Sequence, residues 1–202
     1  MADNNSRPLI PVNPKGLDDV AASLLQGEIP ETNNQDSQAP NLNGYIYVPS
    51  IKLYVAKERS LQGLNWYDTH KKALSDKLGR MPTPKETWEL ILYAKANLSN
   101  SNLKKVYDDI LKITPQNTWH GEWQNAKFSK DKKAMYVQRV VGLDKSGELV
   151  YSDKEKLEDC LMKDCWADFS PSNKQGLFTR KHSNPSYVQG DNIYFWYPKD
   201  RA

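Results

Sequence analysis

The chain of 202 residues carries 28 basic and 25 acidic side chains, a net charge of +3 that is too even to demand a polyanionic partner. Its length suits one well-packed domain with an appendage, and no apolar run reaches the ~18 residues a membrane-crossing helix needs, so a soluble protein is expected. Two cysteines are too few for a disulfide scaffold, and residues 1–14 lack the basic-then-apolar order of a secretory signal peptide, which points to cytoplasmic synthesis.

All 21 aromatic residues lie at or beyond Tyr45. Residues 1–44 instead hold five Pro, seven Asn and six acids against two bases, which makes this stretch −4 and the remainder +7. A segment of that composition cannot bury a core of its own and is expected to be a flexible acidic arm. Within it, near 18–26, Asp18 and Asp19 precede Val20, Leu24 and Leu25 at helical spacing, and Gly27 supplies a stop. One short amphipathic helix is predicted there, docked on its own domain or on a partner. A polar linker over 31–43 follows.

The second part, 45–202, opens with period-two alternation: Ile51, Leu53 and Val55 against Lys52, Tyr54 and Ala56, a half-buried strand that Pro49 delays or bends. A helix is expected over 65–78, with Tyr67, His70, Leu74 and Leu78 on one face and Gly79 closing it. His70 has no metal-binding partner at a usable interval and reads as a packed or hydrogen-bonded histidine. A second helix, 84–97, starts at a capping box: Thr83 caps, Pro84 suits the first helical position, and Glu86 reaches back to the cap amide. Trp88, Ile91, Leu92 and Ala96 form its expected buried stripe.

A third helix over 101–113 places Leu103, Val106, Tyr107, Ile110 and Leu111 opposite Lys104 and Lys105, and Pro115 ends it. Segments 134–141 and 149–151 flank Asp144-Lys145-Ser146-Gly147, a strong hairpin turn, so two antiparallel strands are expected. An aromatic strand over 192–198 comes last. This order is α+β, without the alternation of a doubly wound sheet. Trp66, Trp88, Trp119 and Trp123 are the expected core indoles.

Gly79-Arg80-Met81-Pro82-Thr83-Pro84-Lys85-Glu86-Thr87-Trp88-Glu89 resembles the Gly-Arg-Leu-Pro-Thr-x-x-Glu-Trp-Glu signature of the formylglycine-generating-enzyme branch of the C-type-lectin fold. Segment 48–59 and Trp119-His120-Gly121-Glu122-Trp123 are similar to a narrower group, the variable proteins diversified by retroelements in archaea, their viruses and small-genome bacteria. Gln175-Gly176-Leu177 and Tyr194-Phe195-Trp196-Tyr197-Pro198-Lys199 match later pieces of that group in order and type. The landmarks of the resemblance are Trp66, Arg80, Pro82, Thr83, Glu86, Trp88, Trp119, Trp123 and Trp196.

The resemblance implies a C-type-lectin-like domain over 45–202. It also implies a function of display and binding, not catalysis, and ligand-contacting residues beyond Ala202, on a variable segment facing a protein or cell-surface ligand. A C-terminal segment or second polypeptide is therefore expected to cover the edge near Tyr194 to Tyr197. The other class weighed is a structural or adaptor protein of a virion or surface assembly.

Cys160 and Cys165 share the four-residue gap of the copper-binding pair in formylglycine-generating enzymes, but ordinary thiols are the favoured reading. The sequence holds no Gly-rich phosphate loop, nucleophile elbow or His-Glu-x-x-His, and His120 and His182 have no clustered partners, so no catalytic residue, metal or cofactor is assigned. Calcium-type Glu-Pro-Asn and Gln-Pro-Asp triplets are absent. Lys71, Lys72, Lys77, Arg80, Lys104, Lys105 and the lysines of 127–133 could meet nucleic acid, but they read as solvated faces.

Overall fold

In the computed structural model the described residues are 3–5, 9–11, 44–111, 120–131, 134–169, 172–188, 190–195 and 197–198. The elements in chain order are β1 (Asp3–Asn5), β2 (Leu9–Pro11), β3 (Tyr45–Val48), β4 (Leu53–Ala56), α1 (Trp66–Ser75), α2 (Pro84–Ala96) and α3 (Ser101–Leu111). They are followed by β5 (His120–Glu122), β6 (Lys127–Lys130), β7 (Met135–Gln138), β8 (Val140–Leu143), β9 (Leu149–Tyr151), β10 (Glu155–Lys156), β11 (Cys165–Asp168) and β12 (Asn192–Phe195). The architecture is mixed α+β, with consecutive helices in the middle of the chain and small, mostly antiparallel sheets around them.

The three-stranded sheet β2-β4-β3 takes its first strand from the N-terminal segment, Leu9 pairing with Val55, and β1 runs parallel to β5. The segment expected to be a flexible arm thus supplies two strands, because β4 and β5 offer it backbone partners that composition cannot reveal. The short helix predicted near 18–26 lies outside the described residues.

Pro49 neither delays nor bends a single strand. It sits in the 49–52 turn between β3 and β4, where Ile51 N–H donates to the Val48 carbonyl and Lys52 takes the left-handed φ of 52°. The first helix is shorter than expected at both ends. Asn65 caps it by accepting from the Asp68 amide, and Lys77, at φ 55°, takes the left-handed position just past the helix, with Gly79 following at φ 105°. Tyr67, expected inside, faces out at 46% exposure, while His70 is buried as expected with Thr69 and Ala73 beside it.

Helix α2 has the predicted capping box. Its buried side chains are Pro84, Thr87, Trp88, Leu90, Ile91 and Ala94, while Leu92 and Ala96, expected inside, point outward. The reason is that two clusters meet this helix, so its apolar face is broader than one stripe. Trp88, Ile91 and Ala94 join Tyr107, Phe169, Phe178 and Phe195, whereas Leu90 joins Val48, Leu53, Val55 and Val106. Trp88 packs edge-on to Phe169 at 4.9 Å and to Phe178 at 5.1 Å, and Phe178 does the same to Phe195 at 5.5 Å. Helix α3 buries Leu103, Val106, Tyr107 and Leu111 as expected, and residues 112–113 lie outside the described residues.

The run 134–141 is two strands, not one. β7 pairs with β6 and β10, and β8 pairs with β9 around the predicted Asp144 to Gly147 turn. The break falls at Arg139, whose amide donates to Ser152 Oγ. The last strand covers Asn192–Phe195 and pairs antiparallel with β11.

Much of 120–198 lacks long ladders, and buried side-chain amides bind its backbone instead. Asn125 brackets Val140, Gln175 holds the Lys156 carbonyl and the Glu158 amide, and Asn192 holds the Ser186 carbonyl and the Val188 amide.

Candidate functional site

The Gly79 to Glu89 segment builds its own junction. Thr83 Oγ1 accepts from the Glu86 amide, and a Glu86 carboxylate oxygen accepts from the Thr83 amide at 2.8 Å. Both carboxylate oxygens also accept from Arg80, at 2.8 and 2.6 Å, a forked pair that is largely buried. Burial opposes ionisation of Glu86, but the Arg80 guanidinium and the Thr83 contacts outweigh it and hold the carboxyl below its usual range.

Distant pieces of the chain then close on this junction. The Asn125 amide donates to the Pro82 carbonyl at 2.7 Å, which ties in the segment after Trp123. Gly176, at φ +84°, lies so near the start of α2 that a Cβ there would fall 2.2 Å from the Lys85 nitrogen. Asn173 shapes that turn, its side-chain oxygen accepting from the amides of Gln175 and Leu177. The order Pro82, Asn125, Gly176 in sequence becomes one contiguous patch.

A cleft of about 770 Å³ opens beside the patch. Arg80, Thr83, Lys85 and Glu86 form one wall, Ser50 and Ile51 of the β3–β4 turn another, and Arg139, Val140, Val141 and Lys174 the rest. It holds four cationic side chains and one carboxylate. Two of the cations are engaged, Arg80 with Glu86 and Arg139 with Glu155 at 2.8 Å. Lys85 and Lys174 are exposed, and among the described residues neither ammonium group has an ion-pair partner, although Glu158 Oε2 accepts from the Lys174 backbone amide at 3.0 Å. Val141 falls where the β8–β9 register shifts between Val140 and Gly142, and it stands 63% exposed at the cleft mouth. A bulge re-aims a side chain in this way. Arg80, Thr83 and Glu86 were legible as a motif, whereas Arg139, Val141 and Lys174 carried no local signal and are gathered only by the fold.

The other sequence-derived residues fall as follows. Trp88 is a core indole at 6% exposure. Trp66 and Trp123 are half-buried, not core, because each spends its indole N–H on a carbonyl: Trp66 on Gln124 at 2.8 Å and Trp123 on Leu64 at 3.0 Å. Trp119 and Trp196 lie outside the described residues. His70 is fully buried against the Trp66 ring at 4.2 Å, and neither ring nitrogen has a hydrogen-bond partner among the described residues. Burial pushes its pKa down to about 4.

His182 Nδ1 accepts from the Asn184 amide and Asn192 Nδ2, and Nε2 faces Asp191 at 3.2 Å. Cys160 and Cys165 are free thiols. Burial, reinforced by Asp159, pushes Cys160 up to about 11, and burial raises Cys165 as well, so both are thiols at neutral pH. No group of three or more His, Cys, Asp or Glu suited to a metal ion occurs among the described residues. Lys71, Lys72, Lys104 and Lys105 are each paired with a carboxylate. Among the described residues no helix is long and apolar enough to cross a membrane. No family model matches the chain, and no curated protein or solved structure is significantly similar to it.

Proposed function

We propose that this chain is a non-enzymatic binding scaffold of the C-type-lectin-like type, a rigid framework that presents a variable surface to a protein or cell-surface ligand. The observation that supports it is the closure of the resembling pieces on one another. The Pro82 carbonyl meets the Asn125 amide, Gly176 meets the start of α2, and Trp88, Phe178 and Phe195 pack edge-on in series. A scaffold that tolerates a changing surface needs its constant parts cross-braced independently of that surface. These contacts do so without using exposed side chains.

The partner belongs at β12. Among the described residues this strand has one strand neighbour, β11, and Tyr194 lies edge-on to Trp166 at 5.2 Å. Native mass spectrometry with intact-mass identification, on protein expressed with its full genomic neighbourhood, tests the proposal. A further polypeptide, covalent or tightly bound, that shields Tyr194 from surface labelling is the expected result. A free 23.2 kDa species with a fully labelled Tyr194 overturns it.

A further inference from the structure

We infer that the cleft between Lys85 and Lys174 is a second binding site, separate from the β12 surface, and that it takes an acidic peptide segment of a partner protein. The first ground is charge. The cleft holds four cations to one carboxylate, and that carboxylate is already held by Arg80. Lys85 and Lys174 line one opening, and neither ammonium group has an ion-pair partner among the described residues, the nearby Glu158 carboxylate being held by the Lys174 backbone amide. The backbone brings the two residues to one cleft, because Gly176 packs its turn directly on the Lys85 backbone nitrogen. A ligand carboxylate entering this opening is attracted by both ammonium groups.

The second ground selects the class of anion. The Arg80 fork is filled by both Glu86 oxygens, and Arg139 already holds Glu155 through one guanidinium nitrogen. Among the described residues no aromatic ring on which a base could stack lines the cleft. Ile51, Val140 and the out-turned Val141 supply an apolar wall instead, with Val141 at 63% exposure. A ligand that satisfies both walls carries carboxylates beside aliphatic side chains. An acidic peptide does this, and a sugar-phosphate backbone does not.

The test is fluorescence anisotropy on the full chain with a labelled hexapeptide alternating aspartate and leucine. An asparagine-for-aspartate version, inorganic phosphate and oligothymidylate are run beside it. Saturable binding of the acidic peptide is expected, weakening with salt and dropping at least about tenfold in the double variant Lys85→Glu, Lys174→Glu and again in Val141→Asp. Lys163→Glu, at an exposed lysine outside the cleft, leaves the affinity unchanged. All three cleft positions are exposed, so circular dichroism of the variants matches the parent. Equal binding by parent and double variant, equal binding of the uncharged peptide, binding of phosphate or oligothymidylate alone, or no binding at low salt each overturns the inference.

Discussion

Asn125 holds Val140 as a neighbouring strand would: its Nδ2 donates to the Val140 carbonyl at 3.0 Å, and the Val140 amide donates to its Oδ1 at 2.7 Å. The same residue's own amide reaches the Pro82 carbonyl, so one buried asparagine links the β8 strand to the capping-box segment. Asn125→Ala leaves two buried backbone groups of Val140 unpaired and is expected to cost about 2–4 kcal/mol in urea unfolding. Faster hydrogen exchange at the Val140 amide accompanies it. A cost under about 1 kcal/mol with exchange unchanged would show that the bracket carries no weight.

Gly176 and Gly147 form a natural pair of controls, with φ of +84° and +82°. Alanine at Gly147 meets open space, so only the left-handed strain of about 1–2 kcal/mol is expected there. Alanine at Gly176 drives a Cβ into the Lys85 backbone and is expected to cost at least about 3 kcal/mol. Equal losses for the two variants in thermal or urea unfolding would refute the close approach of this turn to α2.

Trp88→Ala removes the indole that joins Phe169 and Phe178 and is expected to cost about 3–5 kcal/mol. Trp66→Phe keeps most of the ring but loses the hydrogen bond to the Gln124 carbonyl, for about 1 kcal/mol. The contrast measures the difference between a core indole and a bracing one. A Trp66→Phe loss as large as that of Trp88→Ala would place Trp66 in the core after all.

His70 makes stability depend on pH in a direction set by burial. Its folded pKa of about 4 lies below the ordinary histidine value of 6.5, so well above pH 6.5 the ring is neutral in both states and the full stability is present. As pH falls from 6.5 through 4 the unfolded chain takes up a proton that the folded one refuses, and about 3 kcal/mol is lost. The difference in unfolding free energy between the parent and His70→Leu should therefore shift by that amount between pH 7 and pH 4, with the carboxylates cancelling. A difference that stays constant across that range would mean that the ring is hydrated or partnered in solution.

Local chemistry was enough to read some features from the residues alone. The Thr83–Glu86 capping box, the inner face of α3, the Asp144 to Gly147 turn and the α+β order depend on neighbours within a few positions, where propensity and spacing act directly. Arg80 and Glu86 were visible as parts of one short motif for the same reason. Tertiary structure decided the rest. Leu92 and Ala96 turned outward because two clusters, not one, meet α2. Residues 134–141 split because a distant asparagine and serine claim the backbone on either side of Arg139. The Lys85–Lys174 cleft exists because Gly176 lets a turn about ninety residues away rest on a helix start. A single chain pattern records which residues can be buried, but the partner each one meets is set by closure over long sequence separations, and that closure was beyond the reach of local periodicity.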